Sequence, residues 1–285
     1  MAKACNSEHT PSISSFCKIA GVSRNAFYEW LKRPIIVTRD ELQLLELFKE
    51  KKGKYGVRRL KMAYDRRFNT RINIKKIKRI KLKFGLKTVI RKRNKYRAGF
   101  IKGEEHKVAP NLVQRNFSPV EDINVLSVDV TELCYMGGKK AYLFGVKELK
   151  SRMLVHYSIK ERPTIELVID GISDYLMSLP DEVRRKTILH SDQGFQFTSA
   201  QFRSLLSTCE VTQSMSRKGN CLDNAPIESF FGHLKDEADY KRCSTFKEIR
   251  AVVKKYMTYY NYERPQWSLK RKTPAEAGVE FGLVF

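Results

Sequence analysis

The second half of the chain consists of short apolar runs that alternate with segments of helical periodicity, and this order restricts the folds it can adopt. Mainly apolar runs predict three strands in succession, at 125–130, 141–146 and 153–158. Helical segments at 164–179, 202–209, 226–240 and 246–261 then alternate with two further strands, at 187–190 and 211–214. This order predicts an α/β domain at 120–282, with a mixed sheet and helices on its faces.

Positive charge is concentrated in the other part of the chain. Residues 1–120 contain 31 Lys and Arg against 9 Asp and Glu, whereas residues 121–285 contain 24 against 22. Such a basic region is typical of a protein that binds a polyanion. A membrane surface would call for a lipid-facing helix with a wide apolar face or an apolar span, and the sequence has neither. Nucleic acid is therefore the expected partner, and no membrane contact is expected.

Cysteine usage and the N-terminus indicate the compartment. None of the six cysteines forms a C-x-x-C pair, so neither a disulfide framework nor a zinc site is expected. The first residues have no apolar core of the kind found in a signal peptide. The expected location is the cytoplasm.

The segment 1–39 has the pattern of a helix-turn-helix. Two short helices are expected on either side of Gly21, and Ser23 is a favourable N-cap for the second. The side chains expected to form their apolar faces are Phe16, Ile19, Ala20, Phe27, Trp30 and Leu31. Ser23, Arg24 and Asn25 would then begin a recognition helix that contacts DNA. An ordinary helical hairpin is the alternative.

A second helical unit is expected at 40–86, where Asn73 would cap a helix that Gly85 ends. That helix has many cations and almost no interleaved acid, which favours a surface that follows phosphates over a solvated charged face. The candidate DNA contacts of this unit are Arg58, Arg59, Lys75, Lys76 and Arg79. Residues 87–119 form a basic linker without apolar periodicity, in which Arg91 and Arg93 are further candidates.

Three acidic residues stand out by their positions in the α/β domain. Asp129 lies within an apolar strand, Asp192 directly follows a strand, and Glu228 lies in the first turn of a helix that Pro226 opens. Each alone has a structural explanation, such as a strand-end acid, a turn cap or a helix N-terminal acid. Together they are more specific, because 35 residues separate Asp192 from Glu228 and the first and fourth strands can lie side by side.

Carboxylates in this arrangement suit a divalent metal. Hard oxygen ligands match Mg²⁺ or Mn²⁺, which bind through a few carboxylates, waters and phosphate oxygens. Two such ions could activate a nucleophile and stabilise the leaving oxygen in an in-line displacement. The predicted metal ligands and catalytic residues are Asp129, Asp192 and Glu228.

The motifs around these acids resemble those of insertion-sequence transposases of the DDE, or retroviral-integrase, superfamily. The matching stretches are Asp129-Val-Thr, His190-Ser-Asp-Gln-Gly, Asp223-Asn-Ala-Pro-Ile-Glu-Ser-Phe-Phe, Tyr260-Asn261 with Arg264-Pro265, and Tyr55-Gly-Val-Arg-Arg. The closest resemblance is to the second-frame product of bacterial two-frame elements, and it covers almost the whole chain. Departures such as Leu126, where the family usually has Trp, and Gln266, where it usually has His, leave the three acids intact.

The resemblance implies an RNase H-like core, DNA cleavage at element ends and strand transfer, with magnesium as cofactor. It also implies terminal inverted repeats and target DNA as partners, a homo-oligomer on paired ends, a first-frame partner protein and association with the bacterial nucleoid. Lys235 lies where the family has a basic residue, and it shares a helical face with Glu228.

Further residues near the acids are candidates of a weaker kind. Arg217 and Lys218, on the loop before the last acid, are candidate DNA contacts, and His190 and Asn224 are candidates for orienting the carboxylates. Two other functions remain open. One is an inactive or domesticated DNA-binding protein with the same fold, and the other is an RNA-directed nuclease.

Overall fold

The computed structural model describes residues 12–32, 37–89, 108–117, 123–217 and 221–282. The chain divides into two compact units, one that ends at Glu46 and one that begins at Leu47. The helices that precede the sheet are α1 (Ile13–Ile19), α2 (Arg24–Lys32), α3 (Arg39–Glu50), α4 (Val57–Phe68) and α5 (Ile74–Lys83). Within these ranges, no helix is long and apolar enough to cross a membrane.

The two helices predicted in the N-terminal segment are present as α1 and α2. Gly21 adopts a φ of +65° between them, and the Ser23 hydroxyl accepts the backbone N–H of Ala26 at 3.1 Å, as expected of an N-cap. The predicted apolar faces are not buried, however, since Ile19 is 82% and Trp30 63% exposed.

The caps predicted for α5 are confirmed. The Asn73 side chain accepts the backbone N–H of Lys75 at 2.8 Å, and Gly85 follows the helix with a φ of +60°. Ile77 and Ile80 on α5 are fully buried, as is Leu60 on α4. Both helices therefore contribute to the core of the second unit.

The predicted mixed sheet is present, and it has five strands. They are β1 (Asn124–Cys134), β2 (Lys140–Glu148), β3 (Leu154–Lys160), β4 (Thr187–Ser191) and β5 (Thr212–Met215). Their order across the sheet is β3-β2-β1-β4-β5, with β1–β2 and β2–β3 antiparallel and β1–β4 and β4–β5 parallel. The expected pairing of the first and fourth strands is confirmed, and Gly137 and Gly138 form the first turn with φ near +74°.

Helices cover both faces of the sheet. They are α6 (Ile165–Ser178), α7 (Asp181–Arg185), α8 (Phe195–Thr198), α9 (Ala200–Thr208), α10 (Ala225–Glu237), α11 (Phe246–Thr258) and α12 (Pro274–Glu280). One buried core joins Leu126, Val128 and Phe144 of the strands to α6 and α9. A second core joins Leu133 and Leu143 to α10 and α11. Alternate strand residues therefore face opposite layers, as the pleat requires.

Ion pairs join the helical region that begins at Leu47 to the C-terminal helices. Arg59 donates to the Glu237 carboxylate at 2.5 Å, and Arg66 donates to the Glu276 carboxylate at 2.6 Å. Lys54 donates to Asp239 at 2.8 Å. Hence α4 and α5 belong to the same compact unit as the sheet.

Candidate active site

Asp129 lies on the sheet face that α10 covers. It pairs with Gly145 of β2 and shares the parity of Leu133, which belongs to the core beneath α10. Burial, together with the negative charges of Asp192 and Glu228, raises the pKa of Asp129 to about 8, although the Val130 N–H and the charge of Lys235 oppose the shift. The negative charges of both other predicted acids therefore act on Asp129, whose buried surroundings also disfavour the charged form.

The parallel pairing of β1 with β4 brings Asp192 beside Asp129. The last pair between the two strands is Ser127 with His190. Asp129 lies two residues further along β1, and Asp192 lies two residues further along the chain, just past the end of β4 at Ser191. The Asp192 carboxylate accepts the Gly194 N–H at 2.9 Å, and burial raises its pKa. A Cβ on Gly194 would lie 2.9 Å from the same carboxylate oxygen, so a larger residue there would displace the Asp192 carboxylate.

Asn224 attaches the start of α10 to β1, which positions Glu228. Its side chain accepts the hydroxyl of Ser127 at 2.7 Å and donates to the carbonyl oxygen of Val128 at 3.1 Å. Asn224, Ser127 and Val128 are all buried, and the latter two directly precede Asp129 in β1. Glu228 follows in the first turn of α10, where its charge acts on Asp129.

Two features of β2 bring α10 close to the sheet. A Cβ on Gly145 would come within 3.3 Å of the Phe231 ring and 3.4 Å of Ile227, so only glycine leaves room for the helix without displacement. The buried Lys147 amine donates to the carbonyl oxygen of Pro226 at 2.8 Å, and burial lowers its pKa. Neither role was identified from the sequence, since both depend on pairing and distance across the sheet.

We expect Asn224→Ala to destabilise the protein by about 2 kcal/mol or more, because it leaves the Ser127 hydroxyl and the Val128 carbonyl unpaired in a buried position. The strand transfer that the resemblance implies should fall as well, because the attachment of α10 to β1 is lost. Chemical denaturation and a strand-transfer assay measure the two effects. Asn224→Asp keeps the acceptor and most of the shape but loses the donor, so it should give an intermediate result. Equal stability of all three proteins would contradict this role.

Lys235 is half-buried on α10, two turns after Glu228. Its positive charge opposes the rise in the pKa of Asp129, so its amine acts electrostatically on the region of the acids. The spacing of seven residues, or two helical turns, predicted that Lys235 and Glu228 share a face of α10.

His190 is buried between hydroxyl groups. Its ring nitrogens lie 2.9 Å from the Ser214 hydroxyl and 3.2 Å from that of Ser216, and burial lowers its pKa. His190 is therefore held by two serine hydroxyls.

Asp223 is the centre of a polar cluster that the sequence did not identify. Fully buried, it accepts Arg217 at 3.0 and 3.1 Å, Arg115 at 2.7 Å and the side-chain amide of Asn111 at 3.0 Å. These partners hold the pKa of Asp223 well below its usual range. Arg217, a predicted DNA contact, thus has its guanidinium on this carboxylate, although its side chain remains 61% exposed. Lys218 lies outside the described residues.

The candidate DNA contacts on α4 and α5 differ in their surroundings: those on α4 contact other residues of the chain, whereas those on α5 are exposed or partly exposed. Arg59 pairs with Glu237, which Arg264 also contacts through two bonds of 2.9 Å, and Arg58 lies over the Trp267 ring at 5.7 Å. On α5, Lys75 and Arg79 are exposed, and Lys76 is partly exposed. Ser23, Arg24 and Asn25 are exposed at the start of α2, whereas Arg91 and Arg93 lie outside the described residues.

The three acids fit a hard divalent cation by their chemistry. Carboxylate oxygens are the ligands that Mg²⁺ and Mn²⁺ prefer, and a cation would relieve the repulsion that raises the pKa of Asp129. Among the described residues, no group of three or more His, Cys, Asp or Glu side chains converges closely enough to form a metal site. The strands and α10 place the three acids in one region, but their carboxylates do not converge on a single point in this structure.

Comparisons with known proteins agree with this architecture. Residues 120–221 and 209–274 match families described as integrase core domain, and residues 38–94 match a family described as HTH-like domain. InsK of insertion sequence element IS150, from Escherichia coli K12, is 35% identical over 269 residues, which are 93% of this chain and 92% of that protein. Transposase InsF for insertion sequence IS3A, from the same organism, is 30% identical and covers 90% of each chain. The catalytic core domain of BIV integrase is 19% identical, with a TM-score of 0.43 over 55% of this chain and 93% of that one.

Proposed function

Because this chain belongs to the insertion-sequence transposases, we propose that it cuts DNA at the ends of its element and joins those ends to a target, using Asp129, Asp192 and Glu228. The observation that supports these three residues is that they lie in one region. The register of β1 with β4 places the two aspartates side by side, Asn224 attaches the start of α10 to β1, and the charges of Asp192 and Glu228 contribute to the raised pKa of Asp129.

The reaction consists of two phosphoryl transfers. Water first attacks a phosphodiester at the element end and releases a 3′-hydroxyl, which then attacks a phosphodiester of the target. Two divalent metal ions, Mg²⁺ or Mn²⁺, would supply activation of the nucleophile and stabilisation of the leaving oxygen. The three carboxylates would hold those ions; β1 and β4 fix the two aspartates relative to each other, and α10 positions Glu228 near them.

Cations around the acids would hold the DNA. Lys235 contacts the DNA backbone beside the acids, where its charge already acts on Asp129. The exposed cations of α5, Lys75 and Arg79 among them, bind phosphates of the terminal inverted repeat. Ser23, Arg24 and Asn25 begin α2, which we propose as a recognition helix. Arg59 and Arg217 have intramolecular carboxylate partners, so DNA would have to compete for them.

The working assembly extends beyond one chain. We propose a homo-oligomer on paired ends, supported by the chemistry, which joins two ends to one target. A first-frame protein is a further candidate partner. The site of action is the bacterial cytoplasm at the nucleoid.

An assay with purified protein tests the proposal. The substrate is a duplex that carries the element's terminal inverted repeat, and the target is a supercoiled plasmid, with Mg²⁺, Mn²⁺ or EDTA. Two products are expected, both dependent on the metal: element ends with a recessed 3′-hydroxyl, and element ends joined to the plasmid. Tight binding to the terminal repeat without cleavage or joining in either metal would instead favour an inactive DNA-binding copy. Preferential cleavage of RNA–DNA hybrids would favour a nuclease.

A further inference from the structure

A basic groove lies along the outer edge of the sheet, between β3 and α11. It is lined by Tyr157, Ser158, Ile159, Lys247, Arg250, Ala251 and Lys254, and its volume is about 500 Å³. The lining includes no acidic residue. This groove contains none of the predicted site residues.

The three cations of the groove lie on one face of α11. Lys247, Arg250 and Lys254 are spaced i, i+3 and i+7, so they form a row along the helix. Seven residues rise about 10 Å along a helix. The phosphates of a DNA strand advance about 3.4 Å per nucleotide along the duplex axis, so the row matches about three successive phosphates.

Among the described residues, the three cations of the groove lack the acidic partners that several other basic residues of the same unit have. Lys160 pairs with Asp170, Lys140 with Glu132 and Arg185 with Glu210. Within the part of the chain that the structure describes, the exposed side chains of Lys247, Arg250 and Lys254 have neither a hydrogen bond nor an ion pair. Three exposed cations that face the same groove repel one another, and a polyanion would relieve that repulsion.

The other wall of the groove favours a backbone ligand over a compact anion. Among the described residues, β3 pairs only with β2, so alternate backbone N–H groups along its outer edge point away from the sheet. The half-buried Tyr157 faces α11, and Ala251 leaves space opposite it. The groove thus combines a row of cations with a row of backbone donors, an arrangement that suits an extended chain of phosphates.

We propose that the groove between β3 and α11 binds the phosphodiester backbone of duplex DNA through Lys247, Arg250 and Lys254. This inference rests on the proposed function, since it gives a DNA-joining enzyme a second contact with DNA outside the region of the three acids. Tyr157 lies in the same cross-strand row as Asp129, through Gly145, so the groove is two strand spacings, or about 10 Å, from the acids across the sheet. Either target DNA or DNA beyond the cut end is the source of this backbone.

The salt dependence of DNA binding tests the proposal. The variant replaces Lys247, Arg250 and Lys254 by Gln, and the matched control replaces Lys241, Arg242 and Lys255, which are exposed nearby but outside the groove. Binding of the full chain to two labelled duplexes is measured over a range of KCl concentrations without divalent metal. One duplex has random sequence, and the other carries the terminal inverted repeat.

We expect the groove variant to reduce the slope of log K against log [KCl] by about 2 to 3, because each lost phosphate contact contributes about 0.9. The control should retain the wild-type slope, and both variants should melt like the wild type. A reduction with the random duplex identifies target DNA, whereas a reduction only with the terminal duplex identifies DNA beside the cut end.

Other outcomes overturn the proposal. An unchanged slope does so, as does an equal loss in the control, which would indicate a general effect of net charge. A change in oligomeric state with unchanged DNA binding would make the groove a protein interface. Because no bond is broken in this assay, absence of strand transfer would refute the proposed function without affecting the result for the groove.

Discussion

Replacing Glu228 by Gln is expected to reduce strand transfer by at least about 100- to 1000-fold, the usual effect of removing one preorganised charge-stabilising group. The substitution keeps the size and one acceptor oxygen of the side chain, replaces the other oxygen by an NH2 donor and removes the charge. Asp129→Asn and Asp192→Asn should have effects of the same order, because all three carboxylates are needed to hold the metal ions. Gel assays of 3′-end release and joining measure both steps.

Folding and DNA binding serve as controls for this prediction. Glu228→Gln should not lower the stability of the metal-free protein. The charge of Glu228 repels that of Asp129 and contributes to the raised pKa of Asp129, and the substitution removes this repulsion. Binding to the terminal repeat in EDTA should remain close to that of the wild type. Asp236→Asn, on the exposed side of the same helix, is the matched substitution and should retain activity. Full activity of Glu228→Gln would refute the assignment of the trio.

Without divalent metal, the contribution of Asp129 to the stability of the protein is expected to fall as the pH rises from about 4 to 8, and Asp129→Asn should remove that contribution. The pKa of Asp129 is about 8 in the fold, against about 3.9 for an unfolded chain. The folded state therefore holds a proton that the unfolded state releases in this range. Its stabilising effect is complete below the unfolded pKa and is lost as the pH approaches the folded pKa.

Chemical denaturation in EDTA at several pH values measures this effect. The difference between wild type and Asp129→Asn isolates the aspartate, because other titrating groups contribute to both proteins. The folding equilibrium constant of the wild type should change by at most about tenfold per pH unit relative to the variant. Parallel pH profiles for the two proteins would contradict a raised pKa.

Magnesium should reverse this trend. A metal binds the ionised carboxylate, so Mg²⁺ should stabilise the wild type increasingly as the pH rises toward 8 and should displace a proton on binding. Calorimetric titration of Mg²⁺ in two buffers of different ionisation enthalpy counts the protons released. Asp129→Asn should show neither the added stability nor the proton release. Proton release of equal size in that variant would assign it to another group.

The elements that depend on local chemistry agree with their sequence-based predictions. Ser23 and Asn73 cap their helices, and Gly85 takes the positive φ that ends α5. Strand β1 and the start of α10 fall where apolar alternation and Pro226 indicated them. These features are decided within a few residues, by hydrogen bonds to neighbouring backbone groups and by side-chain periodicity.

Short or irregular elements were not anticipated. The helices α7, α8 and α12 have 5, 4 and 7 residues, and α11 continues into a widened turn at Tyr259–Glu263. Segments of one or two turns do not show a helical period, so tertiary packing decides their conformation. The exposure of Ile19 and Trp30 was not anticipated for a related reason, since a periodic stripe does not show whether a surface exists to cover it.

The sequence by itself determined which acids are candidates, on which elements they lie and that the first and fourth strands could bring Asp129 and Asp192 together. Only the tertiary structure decided how Asn224 and Gly145 bring α10 to β1, and which cations have carboxylate partners. Arg59 and Arg217 lie in basic stretches of the sequence, yet their guanidinium groups contact Glu237 and Asp223. The physical reason is range: caps and periodicity act over a few residues, whereas ion pairs and close approach join residues whose distance only the folded chain sets.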